Sequence, residues 1–172
     1  MRVVYGKLAA MTFTRKTFAG AFAICAGLLA FAYYLQYVKG EEPCPLCMVQ
    51  RVAFYALAAV FLVAALHGPA RRGRIVYGVL GFIVAGLGAA VAARHVWLQH
   101  LPAHLVPSCG PDLQYMLSRF PLAQVWSKVL MGSGQCAETG WQFLGLTIAG
   151  WSLLWLVVLG LTALYLVLRK AA

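Results

Sequence analysis

Two cysteines three positions apart, Cys44 and Cys47, lie in the segment Glu41-Glu42-Pro43-Cys44-Pro45-Leu46-Cys47-Met48-Val49-Gln50-Arg51, between two long apolar runs. A Cys-x-x-Cys pair closes a small disulfide ring or supplies two metal ligands, so the spacing alone leaves redox and metal chemistry open. Pro43 and Pro45 fix φ and bias the residues before them toward extended backbone, which predicts a helix that starts near Cys47. A sulfur at that N-terminus feels the positive end of the helix dipole, and Arg51 stands one turn further along the same face. Both effects favour a thiolate. The expectation is a reactive thiol at a membrane boundary with a cation beside it, and the bland alternative for Arg51 is a snorkelling anchor.

The elements that must position this segment are apolar helices. The 172 residues are 63% hydrophobic and include only four acidic side chains, which excludes an ordinary soluble domain and predicts an all-α, integral membrane four-helix bundle. Runs at about 18–38, 47–66, 75–95 and 144–168 approach the roughly 20 residues that cross a bilayer core. The first is longer than the apolar core of a signal peptide, so it reads as a retained span. The whole chain, 1–172, reads as a single four-span domain with outer loops at about 39–46 and 96–143. Small residues at Gly78, Gly81, Ala85, Gly86, Gly88, Ala89 and Ala92 let helices approach closely and make the third span central. Cys25, in the middle of the first span, reads as a small apolar filler.

The net charge of +10 invites a nucleic-acid reading, but the basic residues gather at the ends of apolar runs, where membrane topology explains them. Arg2, Lys7, Arg15, Lys16, Arg71, Arg72, Arg74, Arg169 and Lys170 fall on the side of the termini, which places both termini in the cytoplasm. Cys44, Cys47, Cys109 and Cys136 then face outward. Within the long loop, Leu122, Val125, Trp126, Val129 and Leu130 form one apolar helical face, predicting a short amphipathic helix that lies on the bilayer surface or packs over the loop's own core.

Four outward cysteines on an oxidising side make two disulfides possible. A pair enclosing only two residues removes little chain entropy and is a weak staple, which favours exchange over cross-linking. Cys109 and Cys136 are not a second Cys-x-x-Cys, so a metal centre is disfavoured. The chain resembles the disulfide bond formation protein B (DsbB) family, membrane quinone reductases that reoxidise the thioredoxin-like oxidase DsbA. The likeness rests on four spans, the Cys-x-x-Cys with its arginine, the two loop cysteines, and the Cys136-Ala137-Glu138, Trp141 and Phe143-Leu144-Gly145-Leu146 elements before the last span.

The resemblance implies a protein-disulfide:quinone oxidoreductase in the bacterial inner membrane, with its redox cysteines in the periplasm. Cys109 and Cys136 would oxidise a DsbA-like partner, and Cys44 and Cys47 would pass two electrons to ubiquinone or menaquinone from the membrane pool. Arg51, His95 and Gln99 match positions of the quinone region, each with an interfacial-anchor reading beside it. Gln50 stands where some members carry an acid. Two other readings are a vitamin K epoxide reductase-like enzyme, whose quinone-proximal Cys-x-x-Cys comes late in the chain, and a non-catalytic scaffold with static cross-links.

Overall fold

A computed structural model describes residues 2–106 and 113–169 of the chain. Helices α1 (Arg2–Lys39), α2 (Pro45–His67), α3 (Arg71–Gln99) and α7 (Ile148–Leu168) supply four stretches long and apolar enough to cross a membrane. Between α3 and α7 the loop folds into a short 3-10 turn (Ala103–Leu105), α4 (Leu113–Arg119), α5 (Leu122–Met131), α6 (Gly134–Ala137) and a hairpin of β1 (Gln142–Phe143) and β2 (Leu146–Thr147).

Several boundaries differ from the sequence expectation: α1 begins at Arg2, well before position 18, and α3 runs on to Gln99, past 95. Helix α2 starts at Pro45, not near Cys47, because proline at the first helical position has its φ preset and no N–H to leave unpaired. Cys44 is consequently the N-cap, in extended backbone, and its sulfur accepts the Cys47 N–H. Helix α3 absorbs the basic run from Arg71 onward, leaving 68–70 as the connection, where Gly68 takes the left-handed φ that ends α2. The last span begins at Ile148, not Leu144, since Leu144 and Gly145 both have positive φ and form the hairpin turn. Thr147 then caps α7 by accepting the Gly150 N–H.

The third span is central. Gly78, Gly81, Ala85, Gly88, Ala92 and His95 are buried at alternating spacings of three and four, a seam along one face of α3. A Cβ on Gly78 would come 2.6 Å from Val167, and one on Gly88 would come 2.9 Å from Ala53, so the absent side chains are what admit α7 and α2. Helix α1 packs on α2, α2 on α3 and α3 on α7. Phe18, Cys25, Leu57, Phe61, Leu156 and Leu159 fill the core among them, Cys25 with no exposure.

A second, smaller core caps the loop end of the bundle. Leu46, Leu98, Met116, Val125 and Val129 close over Cys44 and Cys136. Gly132 ends α5 at positive φ, and a side chain there would collide with Leu98. Arg94 reaches from α3 to the Met131 carbonyl at 3.2 Å and lies over the Trp97 ring, fastening the end of α5 to the bundle.

Candidate functional site

The N-terminus of α2 gathers three of the four loop cysteines. Cys44 Sγ lies 3.1 Å from Cys47 Sγ and 3.7 Å from His95 Nε2. The ligand atoms of Cys44, His95 and Cys136 all fall within 4.8 Å of one another, and all three residues are buried. Cys136 is carried there by α6, where its N–H bonds to the Ser133 carbonyl and its sulfur lies 3.8 Å from the Ser133 hydroxyl. Contact with Cys44, followed by burial, holds the Cys136 thiol well above the ordinary range. Cys109 lies outside the described residues.

The expected dipole donor goes to a different sulfur. As N-cap, Cys44 takes the Cys47 N–H at 3.3 Å, whereas Cys47 sits inside the first turn. Arg51 does lie one turn on, but its guanidinium is held by helix α1, donating to Gln36 Oε1 and the Ala32 carbonyl and stacking 5.0 Å from the Tyr33 ring centroid. These contacts tie α2 to α1 and, among the described residues, leave further N–H groups of the guanidinium unused.

Two cavities meet at Cys47. The larger, about 480 Å³, lies between α1, α2, α7 and the hairpin. Aromatic rings of Phe31, Phe54, Trp141, Phe143, Trp151 and Trp155 dominate it, with Cys47, Gln50 and Arg51 at its wall. Trp141 and Phe143 stack at 5.9 Å, so the hairpin presents a flat aromatic face. The smaller cavity, about 110 Å³, is polar and is lined by Cys44, Cys47, His95, Gln99 and Glu138 among others. His95 and Gln99 line only the smaller one. Gln99 accepts the Thr147 hydroxyl at 2.8 Å and so steadies the start of α7.

Gln50 was noted in the sequence only as a departure from family pattern. It is 2% exposed, and its Nε2 lies 3.0 Å from His95 Nδ1. The clue was available in the buried series Leu46, Gln50, Phe54, Leu57 and Phe61, where a polar residue occupies a core position of α2.

Four apolar helices with thiols and an imidazole gathered at one end define a multi-pass membrane protein built around sulfur chemistry. The family described as Disulfide bond formation protein DsbB matches residues 14–166, and the chain belongs to that family. It is 56% identical to the Disulfide bond formation protein B of Hahella chejuensis over 127 residues, 74% of this chain and 77% of the relative. It is 54% identical to the protein of the same description from Nitrosococcus oceani, covering 78% of this chain and 79% of the relative.

Proposed function

We propose that the protein oxidises the dithiol of a thioredoxin-fold, DsbA-like partner and delivers two electrons to a membrane quinone, with Cys109 and Cys136 as the partner-facing pair and Cys44 and Cys47 as the quinone-facing pair. The observation that carries this reading is that Cys47 alone of the described cysteines lines both cavities. One face of its sulfur looks toward Cys44 and His95, the other toward an aromatic chamber.

In the proposed sequence the partner's thiolate attacks the Cys109–Cys136 disulfide and Cys136 leaves as the thiolate. Cys136 then attacks the Cys44 sulfur of the Cys44–Cys47 disulfide, forming Cys44–Cys136 and expelling Cys47 as a thiolate. The 4.8 Å limit on the Cys44–Cys136 separation suits that attack after only a small approach. The large cavity fits a quinone on its own chemistry: aromatic faces for a flat ring, apolar walls for a prenyl tail, and Arg51 donors for carbonyl oxygens that can only accept. When bound, that group accepts two electrons and two protons. Arg51 would orient it and favour the negative charge that develops, and the tryptophans would exclude water.

The arrangement of basic residues supports a bacterial inner-membrane location, with both termini cytoplasmic and the sulfur cluster periplasmic. The reading is tested by following quinone absorbance with purified protein and a reduced DsbA-like partner. Partner-dependent quinone reduction that vanishes in Cys47→Ser and Cys109→Ser supports it. A folded wild type that oxidises no thioredoxin-fold dithiol and reduces neither ubiquinone nor menaquinone overturns it.

A further inference from the structure

We propose that Gln50 is a positioning residue that holds His95 as the tautomer whose Nε2–H points at the Cys44 sulfur, making Cys44 the thiolate expelled when a Cys44–Cys136 disulfide is resolved. The inference rests on the relay proposed above and gives it a direction.

The tautomer follows from donor chemistry. An amide nitrogen donates and cannot accept, so Gln50 Nε2, 3.0 Å from His95 Nδ1, requires that Nδ1 be the acceptor. The single proton of the neutral ring then sits on Nε2. Cys47 Sγ lies farther from Nδ1, at 4.0 Å, so the shorter Gln50 contact is the one that sets the tautomer. On the opposite side Nε2 faces Cys44 Sγ at 3.7 Å. The Cys44 sulfur therefore meets two N–H donors, the imidazole and the Cys47 backbone.

The direction follows from leaving-group chemistry. When a thiolate attacks the Cys136 sulfur of a Cys44–Cys136 disulfide, a new bond forms to Cys136 and the electron pair of the broken bond stays on Cys44. Two N–H donors receive that charge. Attack on the Cys44 sulfur would instead expel Cys136, whose thiolate is disfavoured by burial. The more stabilised thiolate leaves faster. Attack by Cys109 on Cys136 regenerates the partner-facing pair and frees Cys44, whereas attack by Cys47 on Cys44 merely reverses the relay. Gln50, acting through His95, biases the forward branch.

Two measurements on the full chain in detergent test this without quinone or partner, so they stand apart from the test of the relay. Histidine nitrogen-15 NMR of the reduced protein, with His95 assigned by its loss in His95→Asn, should show a neutral ring protonated at Nε2. The second starts from a Cys47→Ser, Cys109→Ser chain carrying the Cys44–Cys136 disulfide, challenges it with glutathione, and locates the mixed disulfide by mass spectrometry. The ratio of adduct on Cys136 to adduct on Cys44 should fall about tenfold in Gln50→Leu. It should stay at or above the starting value in Gln50→Glu, whose carboxylate favours the doubly protonated ring and so keeps Nε2–H on Cys44. An Nδ1–H ring in the wild type, or a ratio that Gln50→Leu leaves at the starting value, overturns the proposal.

Discussion

The two sides of Cys47 are built from opposite materials. On one side a wide chamber of aromatic and aliphatic walls has Arg51 as its cation, braced on α1. On the other, a cramped, more polar space is lined by Cys44, His95 and Gln99, with the Cys136 sulfur close by Cys44 and His95. An apolar chamber suits a lipid-soluble acceptor that comes and goes; a tight cluster of sulfurs and an imidazole suits exchange among groups that never leave. On the proposed reading, the difference teaches that one sulfur would serve two chemistries because the protein separates their solvents.

The largest effect should come from removing the shared sulfur. Cys47→Ala is expected to lower partner-dependent quinone reduction by roughly 10³-fold or more, with the helical fold intact by circular dichroism. Loss of the fold with the activity would favour a structural cross-link. Arg51→Leu should break only the chamber side. Quinone affinity should drop about tenfold or more, the value of one charge-assisted hydrogen bond, while stoichiometric oxidation of the partner without added quinone stays near wild type. A matching loss in the quinone-free reaction would erase the division between the two sides.

Much of this division was legible in the sequence, and the limits have physical causes. Composition and run length are enough for four apolar helices, since in lipid only helices and closed barrels satisfy backbone groups and apolar runs of about 20 residues are the helical signature. The seam Gly78, Gly81, Ala85, Gly88, Ala92 and His95 carries its own period, so the inward orientation of His95 could be read from spacing. Helix starts were harder. Pro45 serves equally as a breaker or as the first helical residue, and only the cap geometry of Cys44 decides. Leu144 and Gly145 look like the beginning of an apolar span, and their positive φ values leave no trace in hydropathy. Least legible was the Gln50–His95 contact, because it depends on the register of α2 against α3 across 45 positions.

A smaller effect should appear where the loop closes the polar side. Gly132→Ala places a Cβ at positive φ and against Leu98, a combination worth about 2 kcal/mol. Helices α5 and α6 would then loosen over the sulfur cluster while the spans stay packed. Alkylation of Cys136 in the reduced protein, slow while its thiol is buried and held protonated, should speed up roughly tenfold. An unchanged alkylation rate would mean that the cap over Cys136 does not depend on this turn.

The smallest effect distinguishes the two faces of α5. Val125 and Val129 are buried against Leu46, Leu98 and Cys136, so the amphipathic helix packs on the loop's own core. Trp126, at 54% exposure, points away from that core together with Leu122 and Leu130, the face that suits a bilayer surface. The same helix packs one face on protein and leaves the other exposed, and its apolar stripe alone allowed either contact. In detergent, Val129→Ala should cost about 1 to 2 kcal/mol in thermal or chemical unfolding, whereas Trp126→Ala should change stability by less than about 0.5 kcal/mol. The tryptophan's contribution should emerge only in vesicles, as weaker quenching of loop fluorescence by lipid-borne quenchers when Trp126 is replaced by Phe and Ser127 carries a small dye. Equal losses in detergent would place Trp126 in the protein core and leave the polar side covered by packing alone.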